Sequence, residues 1–401
     1  MRRSTTCSRH IEFQQSQSIK VTYRVLSCPS PGGGDCYGTF ATPEELLAQQ
    51  NANSTEWRGT LSLEAYLRRE EHLLDLPLTR NGGLTAWMLV YAPPDLESRQ
   101  VICGCESIRK RVLVAKGGNV EDAVAHGVAS VFCPPKFRGK GYAGRMIEEV
   151  GKRLERWQVG EGKRSAFSVL FSDIGKTFYA RHGWQPFPSA HIALPAKSTE
   201  HGTSLSAVRL LKDSDLAELC EADEELMRSN LARSSKSSGR STVALVPDPA
   251  TLQWHAARED FVNGELHLCQ GSLQDRRGAI IGDEPGSRVW CYWTRLWTKP
   301  QDEAPSTLHI IRLVDEDEED AAKGEAIAVL LRAAQSEAQA SGMDQVQLWN
   351  PSETTLAAAR QLSPNVEIVQ REKESIASLR WYGEGSWEDV DWAYNEKYGW
   401  C

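Results

Sequence analysis

Arg138, Gly139, Lys140 and Gly141 stand together between two apolar stretches, and their types suit one task, the holding of a phosphate. Two glycines let the backbone turn sharply and approach a ligand closely. Two cations add charge, and a helix starting just behind them would aim its free N–H groups and positive dipole end into the loop. Upstream, Glu106 and His126 are groups that could take a proton near neutral pH once their surroundings shift them.

The elements that must carry these residues are a strand and a helix. Ala125-His126-Gly127-Val128-Ala129-Ser130-Val131-Phe132-Cys133 reads as a buried strand, ended by Pro134 and Pro135. From Tyr142 onward, Met146, Val150 and Leu154 recur four apart with Ala143 and Ile147 beside them. Arg145, Glu148, Glu149, Lys152 and Arg153 fall on the opposite face, so the spacing predicts an amphipathic helix. The common nucleotide signatures do not fit: no Lys-Ser/Thr follows the glycines, and the third glycine of a dinucleotide fingerprint is missing.

Arg138-x-x-Gly141-x-Ala143 resembles the Arg/Gln-x-x-Gly-x-Gly/Ala signature of the GNAT superfamily, whose backbone amides hold the pyrophosphate of coenzyme A. About thirty residues on, the strand Ala166–Phe171 leads into Ser172–Trp184, which resembles the superfamily's second motif in its Phe178-Tyr179 and Gly183-Trp184. Ala129–Pro135, Phe171–Lys176 and the tail Asn395–Cys401 are similar to one family within it, the fungal lysine N6-acetyltransferases, over about residue 55 to the C-terminus. The resemblance implies acetyl-CoA as acetyl donor, no metal, and transfer to the side-chain amine of free lysine in lysine catabolism. It implies a cofactor site of Val131, Phe132, Cys133, Arg138, Gly139, Lys140, Gly141, Tyr142, Ala143, Asp173 and Phe178.

A lysine ammonium ionises near pH 10.4, so the amine must lose a proton before it attacks. Glu106, on a strand beside the cofactor strand, and His126, at the start of that strand, are the two candidate bases. Amides of Val131 to Cys133 correspond to the superfamily's donors to the thioester oxygen. Tyr179 stands where superfamily members often carry the acid that protonates the departing thiolate; a packed aromatic is its alternative role. Cys133 has no base near it in sequence, which favours direct transfer over an acyl-enzyme.

The chain of 401 residues is long enough for two domains, and 40% apolar content with 13 Trp gives each a core. A net charge of −8 argues against a nucleic-acid partner, and no stretch approaches the twenty apolar residues of a membrane span. Ten cysteines without paired spacing fit reduced thiols in the cytoplasm, with Cys103 and Cys105 as core thiols. The first seventeen residues read as a tail in preference to a mitochondrial transit peptide.

Order along the chain predicts a mixed α/β (α+β) GNAT fold: a strand at Ile19–Leu26, a loop at Pro29–Asp35, helices at Pro43–Asn51 and Leu61–Leu74, strands at Leu84–Tyr91 and Val101–Val114 joined over Pro93-Pro94, then Ala123–Cys133. Lys197–Ser206 reads as a linker between an N-terminal acetyl-CoA-binding domain, 1–196, and a C-terminal domain, 207–401. The second half repeats the pattern, with helices at Ser214–Ser229 and Ala250–Asn263, strands at Arg288–Trp297 and Thr307–Val314, a helix at Ala321–Ala340 and a strand at Gln345–Trp349. Asp315–Asp320 stands where the first half has its cationic loop and would repel a pyrophosphate, so this copy reads as degenerate.

The tail holds Trp387, Glu388, Asp389, Asp391 and Trp392 among its aromatics and acids, a composition that must dock. At the seam between the copies these five would hold the lysine substrate, the acids meeting its ammonium and a Trp facing it. A tail that only staples the second domain is the alternative. The terminal carboxylate of Cys401 is a further possible base by analogy with N-myristoyltransferases, also tandem copies of this fold. Two other functions stay open: a protein or peptide N-acyltransferase of that tandem type, and a non-catalytic acetyl-CoA-binding module.

Overall fold

Thr42 and Ser62 fix the first two helices of the described residues. The Thr42 hydroxyl accepts from the Glu45 N–H while the Glu45 carboxylate accepts from the Thr42 N–H, and Ser62 accepts from the Ala65 N–H. The computed structural model describes residues 35–92, 99–197, 207–268, 275–298, 304–316 and 323–400. The predicted strand at Ile19–Leu26, the turn over Pro93-Pro94, most of the linker, the acids from Asp317 to Asp320 and the Cys401 carboxylate lie outside them.

Strand β1 (Asp35–Phe40) precedes α1 (Pro43–Trp57) and α2 (Leu63–Leu74). Then come β2 (Leu84–Ala92), β3 (Gln100–Lys116), β4 (Asn119–Phe132), α3 (Tyr142–Leu154), β5 (Phe167–Ser172), α4 (Thr177–Ala180), β6 (Gln185–Pro186) and β7 (Ala190–Pro195). The second half runs β8 (Val208–Leu211), α5 (Leu216–Ser238), β9 (Ser241–Leu245), α6 (Pro249–Leu266), β10 (Gly278–Ile281), β11 (Val289–Leu296), β12 (Thr307–Asp315) and α7 (Lys323–Ala340). It ends on β13 (Gln345–Trp349), α8 (Glu353–Leu362), β14 (Val369–Gln370), β15 (Ile376–Trp381) and β16 (Val390–Trp392).

Two sheets result. One has the order β1-β2-β3-β4-β5-β15-β6, with β9 paired to the far end of β3 and β16 to β9; the other has the order β8-β10-β11-β12-β13-β7-β14. Read from their outer strands inward, the two orders match, and so do the pairings: β4 with β5 and β12 with β13 are parallel, while their neighbours are antiparallel. Each half gives a strand to the other's sheet. β15 runs antiparallel to β5 over Ile376–Trp381, and β7 antiparallel to β13 over His191–Pro195.

Burial follows the predicted periodicities. Met146, Ile147, Val150 and Leu154 of α3 pack on Trp87, Cys103, Cys105, Val128 and Leu170 of the first sheet. The charged face of α3 is less solvated than its pattern suggests, because Arg145 and Arg153 donate to the carbonyls of Cys36 and Gly38 in β1. Between the sheets, Val112, Phe167, Leu245 and Leu379 meet Ile280, Trp290, Tyr292 and Ile311, and Tyr398 of the tail is buried among them. Among the described residues, no helix is long and apolar enough to cross a membrane.

Candidate active site

Strands β4 and β5 pair only at Ala125–Gly127 against Phe167–Val169 and then part. The cause lies on the β3 side. Ser130 adopts a left-handed backbone (φ 52°), and the β3–β4 register slips by one residue between Gly104 and Glu106, which is a bulge in β4. Beyond Gly127 the β5-facing edge of β4 is therefore free of a strand partner. The gap opens into a cavity of about 200 Å³, walled on these strands by Val128, Ala129, Ser130 and Val131 and by Leu170 and Phe171.

At the end of β4 the chain enters the cationic loop. The Arg138 guanidinium donates from Nε to the Cys133 carbonyl (2.8 Å) and lies 5.6 Å over the Phe132 ring, which ties the loop to the strand; Lys140 is exposed. Gly139 (φ 76°) and Gly141 (φ 79°) take left-handed conformations with open space where a side chain would stand. Gly141 caps α3 without any side-chain partner, so the amides of the first turn of α3 are left for a ligand. Tyr142 and Ala143 start that turn. An open cradle of amides backed by cations fits the pyrophosphate of coenzyme A.

Glu106 pairs with Ala129 beside the bulge and is only 8% exposed, on the cavity wall. Burial, and then the neighbouring Glu70 carboxylate, push its ionisation up to about pH 7, partly offset by the Ser130 side chain. Tyr179 also lines the cavity, and its hydroxyl has no hydrogen-bond partner among the described residues; burial raises its pKa, so it stays protonated. Asp173 lines the cavity too, with one oxygen accepting from the Ser375 N–H at 2.9 Å. Phe178 packs edge-on against Tyr179 and His182, away from the cavity wall.

His126 is not part of this site. It sits where β4 and β5 are still paired, is fully buried, contacts Ser165 Oγ at 3.3 Å through Nδ1, and is driven down to about pH 4 by burial. A base held neutral there and about 10 Å of strand before Ala129 cannot serve the cavity. Cys133 is also buried, with its thiol pushed up by that burial, which leaves it a poor nucleophile.

The family profile described as "LYC1 GNAT-like C-terminal domain" matches residues 191–401, more than half of the chain. The chain belongs to this LYC1 GNAT-like family. A Yarrowia lipolytica protein named lysine acetyltransferase is 24% identical over 297 residues, covering 64% of this chain and 72% of that protein. The Saccharomyces cerevisiae uncharacterized protein YGR111W is 22% identical over 404 residues, covering 91% and 97%. Among solved structures, a GCN5-related N-acetyltransferase from Kribbella flavida superposes with TM-score 0.50 at 15% identity, over 87% of this chain and 71% of that one. N-myristoyltransferase from Saccharomyces cerevisiae superposes with TM-score 0.50 at 10% identity, over 94% and 87%. Both likenesses are of fold, and the fold expected from the two motifs, a GNAT architecture, is the one observed.

In this LYC1 GNAT-like chain more of the cavity wall comes from two helices that carried no signal in sequence and from the tail. Tyr66, Arg69 and Glu70 project from α2, Trp254 and Arg258 from α6, and Trp400 from the tail. The five tail residues expected to hold the acceptor are elsewhere. Trp387 and Trp392 pack edge-on against Phe187 (6.2 and 5.7 Å), Asp391 accepts from Arg240 Nε (2.8 Å), and Glu388 and Asp389 lie in an exposed turn capped by Ser386. Pairing of β16 with β9 holds this segment away from the cavity, and Arg240 forms an ion pair with Asp391. What signal there was lay in Trp400, one of the tail aromatics whose number demanded a docking site.

Proposed function

We propose that this protein is an N-acetyltransferase that moves the acetyl group of acetyl-CoA to the side-chain amine (N6) of free L-lysine by direct attack, in lysine catabolism. One observation carries the reading: a carboxyl that ionises near pH 7, Glu106, faces a small cavity at the split between β4 and β5. Acetyl-CoA, when bound along the loop, supplies an acetyl group activated as a thioester. Gly139 to Ala143 offer amides to the pyrophosphate, with Arg138 and Lys140 adding charge. Glu106 takes the proton that the incoming ammonium must lose. The free edge of β4 from Val131 to Cys133 offers N–H donors where negative charge grows on the carbonyl oxygen. The Tyr179 hydroxyl gives its proton to the departing sulfur and is reprotonated by the second proton that the nitrogen sheds as the amide forms, while Glu106 releases the first to solvent.

A cavity of about 200 Å³ is smaller than the roughly 300–1,000 Å³ of pockets that bury drug-sized ligands, which supports an acceptor the size of one amino acid. The likeness to the Yarrowia lipolytica lysine acetyltransferase supports lysine as that acceptor. Thiol release from acetyl-CoA should be fast with L-lysine. Ornithine, one methylene shorter, should fall about 10–200-fold in kcat/KM. Peptides acetylated as well as free lysine would replace this reading with a protein acyltransferase; binding of acetyl-CoA without transfer to any amine would leave a cofactor-binding module.

A further inference from the structure

We propose that Arg258 is the anchor for the α-carboxylate of the acceptor, so that the site selects a free amino acid over a simple diamine or a lysine within a peptide. This rests on the reading of the cavity as an amine acetyltransferase site. Arg258 lies on α6 with its guanidinium on the cavity wall, 5.3 Å over the Trp400 ring. It forms no ion pair with any carboxylate among the described residues. Its sequence neighbours are committed elsewhere: Glu259 to Arg295 and Asp260 to Arg277, each at 2.5 Å. Glu70, the nearby acid, is held by Nε and Nη2 of Arg69 at 2.9 and 2.6 Å.

A half-buried cation without a carboxylate partner is costly, and here a second cation, Arg69, stands close by. Burial, and then the Arg69 charge, push the Arg258 guanidinium down to about 9. That is the cost expected of a site built for an anion that arrives with the ligand, as a guanidinium meets a carboxylate through two parallel hydrogen bonds. Glu106 and Tyr179 line the same cavity, which opens at the β4–β5 split where this reading has acetyl delivered. An amino acid with its carboxylate on Arg258 and its side-chain amine toward Glu106 makes use of both charges. Cadaverine lacks the first group, and L-lysinamide and interior peptide lysines lack its charge.

The test compares L-lysine, cadaverine and L-lysinamide as acceptors for the parent enzyme, Arg258→Gln and Arg258→Lys, with acetyl-CoA saturating. The parent should favour lysine over the other two, mostly through KM. In Arg258→Gln the KM for lysine should rise roughly 10- to 100-fold, the loss expected for hydrogen bonds between charged groups, with kcat much less affected. The lysine-to-cadaverine preference should collapse toward one, with Arg258→Lys between. A parent that uses cadaverine as readily as lysine, or an Arg258→Gln that loses both alike, would overturn the anchor. If the parent acetylates no lysine compound, the functional reading fails, and thermal stabilisation by 6-aminohexanoate against hexylamine, with coenzyme A present, judges the anchor by itself. A carboxylate-dependent shift lost in Arg258→Gln supports it, and no shift in the parent overturns it.

Discussion

Glu106 joins the two demands on a base at neutral pH, that it be ionised often enough to act and basic enough to pull a proton. Its raised pKa has a clear sign for activity. Below about pH 7 the carboxyl is protonated and cannot accept, so kcat/KM should climb as pH rises through about 7. Tyr179, raised by burial, imposes no falling limb in the same window. Glu106→Gln should lower kcat/KM by about 10²–10⁴-fold and flatten the rising limb. Stability should move the other way. A carboxyl whose folded pKa lies above its unfolded one weakens the fold as pH rises from the unfolded value through about 7. The variant should therefore resist denaturant at pH 8 at least as well as the parent, which a pH series of urea titrations reads. An active variant with an unchanged profile would remove Glu106 as the base.

At the scale of elements, the strand-loop-helix from β4 to α3 and the second motif were legible because their signals are local: two prolines, two glycines and a four-residue period. Glu106 was legible as a candidate through its place on the strand next to β4. The wall made by α2, α6 and the tail was not, since Arg69, Glu70 and Arg258 look like surface charges on helices until tertiary packing turns them inward. The Arg68–Glu265 ion pair (2.7 Å) and the stacking of His72 on Phe261 show that packing, and both contacts span nearly two hundred residues. Likewise the tail's acids looked available because nothing local announces Arg240. Docking of the tail was legible from its aromatics, and the structure shows how deep it goes. Tyr398 is fully buried, donates from its hydroxyl to the Leu245 carbonyl (2.8 Å), and accepts from His255 at its own carbonyl (3.0 Å). Tyr398→Ala should cost about 3–5 kcal/mol in chemical denaturation, as large aromatic truncations in cores do. A loss under about 1 kcal/mol would mean the tail is only draped on the surface.

The described residues form two GNAT copies locked by exchange, and the splits of the two copies are lined differently. In the second copy β12 and β13 pair over Thr307–Ile310 and then part as β4 and β5 do, but the tail enters the split, where the Glu396 carboxylate accepts from Arg312 and from the Leu313 N–H (3.1 Å), and the pocket of about 570 Å³ left there is lined by tail residues as well as by the two strands. Asp315 and Glu316 stand at the end of that strand, Glu316 held by Arg288, so the place of the cationic loop begins with acids. Exchange of β7 and β15 has a direct mechanical consequence. Without β15, β5 becomes an exposed edge next to the cavity, and without β9 the far end of β3 loses its partner; bare edges of this kind invite aggregation. Residues 1–196 expressed alone should be insoluble or melt without cooperativity, and acetyl-CoA should not stabilise them. Co-expressed with residues 207–401 as a separate chain, they should elute as a one-to-one complex that releases thiol with lysine, since the strand pairing needs no covalent link across the linker. A fragment of residues 1–196 that unfolds cooperatively and gains as much from acetyl-CoA as the full chain would show that the first copy does not depend on the exchanged strand.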